Sequence, residues 1–202
     1  MQHPLQYPLT LNFKIVAVAP QISVEDATGR EILYVRQKLM QLRDKIHVFA
    51  DSSQSQELYE INADRIIDWS ARFVFTDPQG RTVGAVQRQG NRSIWRATYD
   101  VQSAEGQDLF RIEEEQPWLK VIDYYVEEIP IVGLFSGYFF SPTYGVTRLA
   151  TGQTELRITK HRTFIARKFV IDKLAANPLP EAEEVATLLG IMIMVLHERR
   201  RE

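Results

Sequence analysis

Val185-Ala186-Thr187-Leu188-Leu189-Gly190-Ile191-Met192-Ile193-Met194-Val195-Leu196 is apolar at almost every position. A surface helix carries an apolar stripe with polar residues opposite it, whereas a helix that is apolar all round must be covered on every side. The run is about 12 residues, near 18 Å at a helical rise, and a membrane span needs roughly 20 residues. Its expected home is therefore the interior of the protein itself. Nearly everything before it reads as strand, so the expected fold is mainly β: a closed antiparallel barrel around a central hydrophobic C-terminal helix.

The ends of that helix carry their own signals. Asn177-Pro178-Leu179-Pro180 offers a capping side chain and prolines suited to a first turn, which sets the expected helix at 180–200. Glu181, Glu183 and Glu184 follow where acids favour the positive end of the helix dipole, and His197, Arg199, Arg200 and Arg201 stand where bases favour the negative end. Burying each large apolar side chain of the run is worth about 1.5–3 kcal/mol, against a net domain stability of about 5–15 kcal/mol. Exposing the segment should therefore unfold a soluble monomer.

A chain of 202 residues suffices for one large all-β domain, and no composition shift marks a second, so residues 1–202 read as a single domain. The net charge of −2 gives no global basic field for nucleic acid. There is no cysteine, which excludes disulfides and thiolate metal sites and fits a reducing, cytoplasmic setting. The first eight residues, with Pro4 and Pro8, lack a basic segment followed by an apolar run and read as an extended lead-in rather than a signal peptide.

From Leu9 the pattern alternates, with Leu11, Phe13, Ile15 and Ala17 on the same strand face, and Pro20 is expected to end or bend it. Hairpins then follow one another. Ile22 to Glu25 leads through Asp26-Ala27-Thr28-Gly29 into Glu31 to Gln37, and Arg43 to Ala50 through a polar loop into Glu57 to Ile61. Arg72 to Thr76 leads through Asp77-Pro78-Gln79-Gly80 into Arg81 to Gln89, and Trp95 to Gln102 through Ser103-Ala104-Glu105-Gly106 into Gln107 to Glu113. Tyr144 to Arg148, a turn ending in Gly152, and Glu155 to His161 make a last copy, and Phe164 to Ile171 a final strand. The first four turns recur about every 25 residues, so the chain repeats one hairpin unit. Ten to twelve antiparallel strands are expected, and a sheet that long curls and closes, which removes its edges. On the Trp95 strand, the face with Ala97, Tyr99 and Val101 is assigned inward. The pattern breaks between Gln116 and Pro142, where Ile131 to Phe140, with Gly133 and Gly137, reads as a Gly-bent strand.

Arg92-Ser93-Ile94-Trp95-Arg96 entering a strand, the Asp-x-x-Gly hairpins, Ser141-Pro142-Thr143-Tyr144 and a terminal apolar helix ending His197-Glu198-Arg199-Arg200-Arg201 together resemble the LURP-one-related (LOR) family. The resemblance spans nearly the whole chain. It implies the fold shared with tubby C-terminal domains and phospholipid scramblases, a barrel of about 12 strands threaded by the C-terminal helix. For function it implies less: tubby proteins bind phosphoinositides and scramblases are linked to lipid movement, while LOR members are largely uncharacterised. No residue here matches the tubby phosphoinositide site, and the scramblase palmitoylation cysteines have no counterpart.

The most suggestive surface feature is basic. Arg157, Lys160, His161, Arg162, Arg167 and Lys168 fall within one late hairpin and could hold an anionic headgroup or phosphate through charge-assisted bonds. The competing account is a solvated strand face paired with acids such as Glu155 or the Glu181–Glu184 group. Arg36, Lys38, Arg43 and Lys45 make a second, weaker patch. The four histidines, His3, His47, His161 and His197, show no metal-ligand spacing, and no cofactor is expected. His197 reads as a helix-end base, and the acid runs Glu113–Glu115 and Glu127–Glu128 as solvated strand ends. Trp69, Trp95, Trp118, Met192 and Met194 read as packing residues. No Gly-x-Ser-x-Gly, P-loop or Gly-x-Gly-x-x-Gly pattern occurs, and an enzyme is not expected. A lipocalin-like carrier is excluded if the helix fills the lumen. Three expectations follow. The first is a non-enzymatic module, monomeric and peripheral to an anionic membrane. The second is a protein-interaction domain docking around Ile131 to Phe140. The third is that the chain carries no transmembrane span and binds no nucleic acid.

Overall fold

The computed structural model describes residues 4–16, 19–36, 45–65, 70–90, 98–115, 142–162 and 167–198. The three tryptophans, the Gly-bent strand at 131–140, Glu127 and Glu128, Lys38, Arg43 and the arginines after Glu198 lie outside the described residues.

Among the described residues, twelve strands precede one helix: β1 (Leu9–Val16), β2 (Ala19–Glu25), β3 (Glu31–Arg36), β4 (Ile46–Phe49), β5 (Glu57–Arg65) and β6 (Arg72–Thr76), then β7 (Thr82–Arg88), β8 (Thr98–Gln102), β9 (Asp108–Glu114), β10 (Thr143–Arg148), β11 (Thr154–Arg162) and β12 (Arg167–Lys173). The helix α1 is Glu181–Glu198. Each strand pairs antiparallel with its neighbours in sequence, and β1 pairs with β12 to close the barrel. Among the described strands no sheet edge is left for edge-to-edge association. Pro20 does not end a strand: it lies within β2, opposite Ile15 of β1.

The inner wall follows the two-residue period. Leu9, Leu11 and Phe13 of β1, Phe73 and Phe75 of β6, Phe110 and Ile112 of β9, and Leu156 and Ile158 of β11 are all buried. On β8 the assigned face is indeed inside, through Tyr99 and Val101, but Thr98 and Asp100 are buried too. Asp100 lies under a fork from Arg111 (Nε to Oδ1 2.8 Å, Nη2 to Oδ2 3.1 Å) and a bond from Gln89 (2.7 Å). A long polar side chain from each neighbouring strand thus covers the outer face of β8.

Eight-stranded barrels fill with side chains alone, whereas twelve strands leave room for a helix about 10 Å across. α1 occupies that room, and every residue from Val185 to His197 is buried. It lies nearest β7 to β9. Contact there is close because both sides lack bulk. A Cβ on Gly190 would stand 3.0 Å from Val101 Cγ2, and one on Gly84 would stand 2.8 Å from Ala186 Cβ. Toward β1 and β12, Phe13 and Phe169 contribute the bulk. Among the described residues no helix is long and apolar enough to cross a membrane.

The first helical bond runs from Glu184 N to Pro180 O at 2.9 Å, so Pro180 holds the cap position. Asn177 therefore does not cap. It lies three residues upstream and lines a rim cavity of about 340 Å³ with Arg148 and Glu155. The helix is fastened at this rim by charge. Arg148 bonds Glu155, pairs with Glu183 (2.9 Å) and stacks 4.5 Å above the Phe110 ring. Tyr7, in the lead-in, donates to Glu184 Oε1 at 3.1 Å.

Candidate functional site

The late basic hairpin is formed by β11 and β12, which pair Arg157 with Asp172, Lys160 with Phe169, His161 with Lys168 and Arg162 with Arg167. Alternation divides the described candidate residues between two faces. Leu156 and Ile158 face inward, and Lys160 continues that row: it is 2% exposed, with Nζ 6.0 Å from the centre of the Phe169 ring. Lys160 is therefore not part of an outer docking face, and the expectation that included it is corrected. Charge count alone grouped it with the others, whereas the strand period assigns it to the interior. Arg157 points outward and is engaged, its Nε 3.1 Å from Glu115 Oε1. His161 and Lys168 are exposed and directly opposite each other. The side chains of Arg162 and Arg167 lie outside the described residues, but their strand register makes them the next cross-strand pair. The last two rows of the hairpin thus hold four bases and no acid.

Two of the acids expected to neutralise this hairpin are committed elsewhere. Glu155 and Glu183 both serve Arg148 at the opposite end of β11. In the weaker patch Arg36 is exposed, while Lys45 pairs with Glu60 at 2.9 Å.

Two expectations about single residues need revision. Glu114 is no solvated strand end: it is buried on the inner face of β9, opposite Tyr144 of β10. His197 does stand in the last turn of the helix, yet it is buried, its ring edge-on to Phe73 (5.2 Å) and Tyr99 (6.0 Å). Met192 and Met194 are core residues as expected.

The structure also gathers a group that sequence spacing concealed. His47 Nδ1, Glu57 and Glu60 converge on the outer wall of β4–β5, their ligand-type atoms all within 4.8 Å of one another. Ten residues separate His47 from Glu57, and no short motif joins them. The hairpin brings them together, and only its register could have shown it.

The family model of the LURP-one-related proteins matches residues 31–177, well over half of the chain. The chain belongs to the LURP-one-related family. The matched stretch runs from β3 past β12, and the barrel adds to it the closing strands β1 and β2 and the helix. This LURP-one-related barrel is similar in fold to the crystal structure of a protein from Arabidopsis thaliana, with a TM-score of 0.52 over 96% of this chain and 94% of that one at 15% identity. No curated protein matches the sequence.

Proposed function

We propose that this LURP-one-related barrel is a non-enzymatic binding module, acting as a monomer at the periphery of an anionic surface. Phospholipid headgroups, or another phosphate ligand, would dock at the end of the β11–β12 hairpin. The observation that carries this reading is the composition of the last two cross-strand rows, His161 with Lys168 and Arg162 with Arg167. Like charges directly opposite one another destabilise a sheet, and a bound anion relieves them. The filled interior supports the same reading, since a helix in the lumen leaves small ligands the wall and the rim. The absence of cysteine agrees with a reducing, cytoplasmic setting.

The test is co-sedimentation with phosphatidylcholine vesicles, with and without phosphatidylserine. Binding is expected to the anionic vesicles alone and to fall at high ionic strength. An Arg or Lys near an anionic surface contributes about 1 kcal/mol, so Arg162→Glu with Arg167→Glu should weaken binding at least ~tenfold. Free inorganic phosphate competing with the vesicles would point to a phosphate ligand rather than a membrane. Absence of binding to anionic vesicles at low salt rules out the lipid reading and leaves a protein partner as the better account. Among the described residues the large exposed hydrophobics are Leu149 at 37% and Leu174 at 46%, and the stretch 131–140, where a protein partner would dock, lies outside them.

A further inference from the structure

We propose that His47, Glu57 and Glu60 form a site for a divalent ion of the zinc class on the outer wall of β4–β5. Their ligand atoms lie within 4.8 Å of one another, and His47 Nδ1 is already 2.9 Å from Glu57 Oε1. Nothing in the anion-docking reading is required for this.

The placement comes from an irregularity in the sheet. Glu57 and Glu60 are three residues apart, so strict alternation would send them to opposite faces. The register runs His47 to Glu60, Val48 to Tyr59, then Phe49 to Glu57, leaving Leu58 as the extra residue of a bulge. That bulge returns Glu57 to the outer face beside Glu60. Bulges are common where a strand must re-aim a side chain.

Two of the three donors are also held in place from behind. Asn62 Nδ2 donates to Glu60 Oε1 at 2.7 Å, and the His47 ring rests against Phe49, centroids 6.4 Å apart at 32°. Such supporting contacts orient ligands in known metal sites. Among the described residues this group's counter-charge is Lys45, with Nζ 2.9 Å from Glu60 Oε1 and its side chain mostly in solvent. One ammonium answers two carboxylates, and a divalent cation would balance them. An imidazole nitrogen with two carboxylate oxygens suits zinc and its neighbours, whereas magnesium and calcium prefer all-oxygen sets. Water would complete the coordination on the open side.

The experiment is calorimetric titration of the chelator-treated full chain with zinc chloride near neutral pH. One equivalent should bind, with magnesium and calcium producing no comparable heat. His47→Ala should weaken zinc binding at least ~tenfold, the loss of one of three protein ligands. Lys45→Met, which removes the competing ammonium, should tighten it. His47 is outward-facing, so both variants should melt at the native temperature, and a melt of each checks that the fold is intact. No heat with zinc up to millimolar concentration overturns the proposal, and so does zinc binding that His47→Ala changes by less than threefold.

Discussion

Asp26 and Asp77 close two of the hairpin turns in the same way. Asp26 accepts from Thr28 N at 2.9 Å and Arg30 N at 3.2 Å, and Asp77 from Gln79 N at 3.0 Å and Arg81 N at 2.9 Å. In each turn the arginine four residues on folds back onto the acid, at 2.8 Å for Arg30 and 2.7 Å for Arg81, and a glycine takes φ near +80°. Asx turns of this kind explain why Asp and Gly recur at fixed offsets. The Thr28 hydroxyl and the turn amides hold the Asp26 carboxyl below its ordinary range. Burial works against Asp77, but the backbone and side chain of Arg81 prevail and lower it as well. A carboxyl lowered on folding stabilises the protein above the unfolded value near 4, and that stability is lost as pH falls through the folded value. Asp26→Asn should therefore lower the melting temperature near pH 7 and cost progressively less on acidification below about pH 4. Paired melts at both ends of that window check it, and a constant difference would exclude the linkage. Arg148 is the other single residue with much at stake, because it joins β10, β11 and α1 through Glu155 and Glu183. Truncation to Ala takes this guanidinium from the buried Glu155 and the partly buried Glu183 and should cost about 2–4 kcal/mol in chemical denaturation.

At the scale of elements, the packing of α1 on β7 makes Gly84 the most demanding position in the wall. Its φ is +158°, and an added Cβ would lie 2.8 Å from Ala186 Cβ and 2.9 Å from Gln102 O. Gly84→Ala should destabilise by about 2–4 kcal/mol from strain and overpacking together. Ala186→Gly should not rescue it, because the clash with a backbone carbonyl remains. Rescue by Ala186→Gly would show that the helix contact alone sets the limit. Leu189→Ala, in the middle of α1 and fully buried, should cost about 2–5 kcal/mol. Much of this element layer was legible in the sequence. Alternation with one apolar face gave β1, β3, β6, β9 and β11, and the uniformly apolar run gave the helix. What escaped was set by pairing between strands rather than along them. The bulge that brings Glu57 beside Glu60, the polar lid over Asp100 and the inward turn of Lys160 and Glu114 all depend on register or on neighbours distant in the chain. The cap at Pro180 escaped for a different reason: a capping residue type was present at Asn177, but the chain begins its helix three residues later.

At the scale of the whole molecule, wall and helix are one cooperative unit. The inner residues of the twelve strands and those of α1 form one hydrophobic cluster, so neither can bury its apolar surface without the other. A chain ending at Pro180 should lack a cooperative thermal transition and should bind a hydrophobic dye such as ANS, the signature of a collapsed but unpacked state. A sharp calorimetric transition in that truncated chain would show that the strands close by themselves. The order of the elements adds a consequence for biosynthesis. Twelve strands emerge from the ribosome before the segment that fills their lumen. Until α1 clears the exit tunnel, the nascent polypeptide has no way to shield its oily inner lining, so closure waits for the helix and the strands made before it are clients for whatever holds unfinished chains in solution.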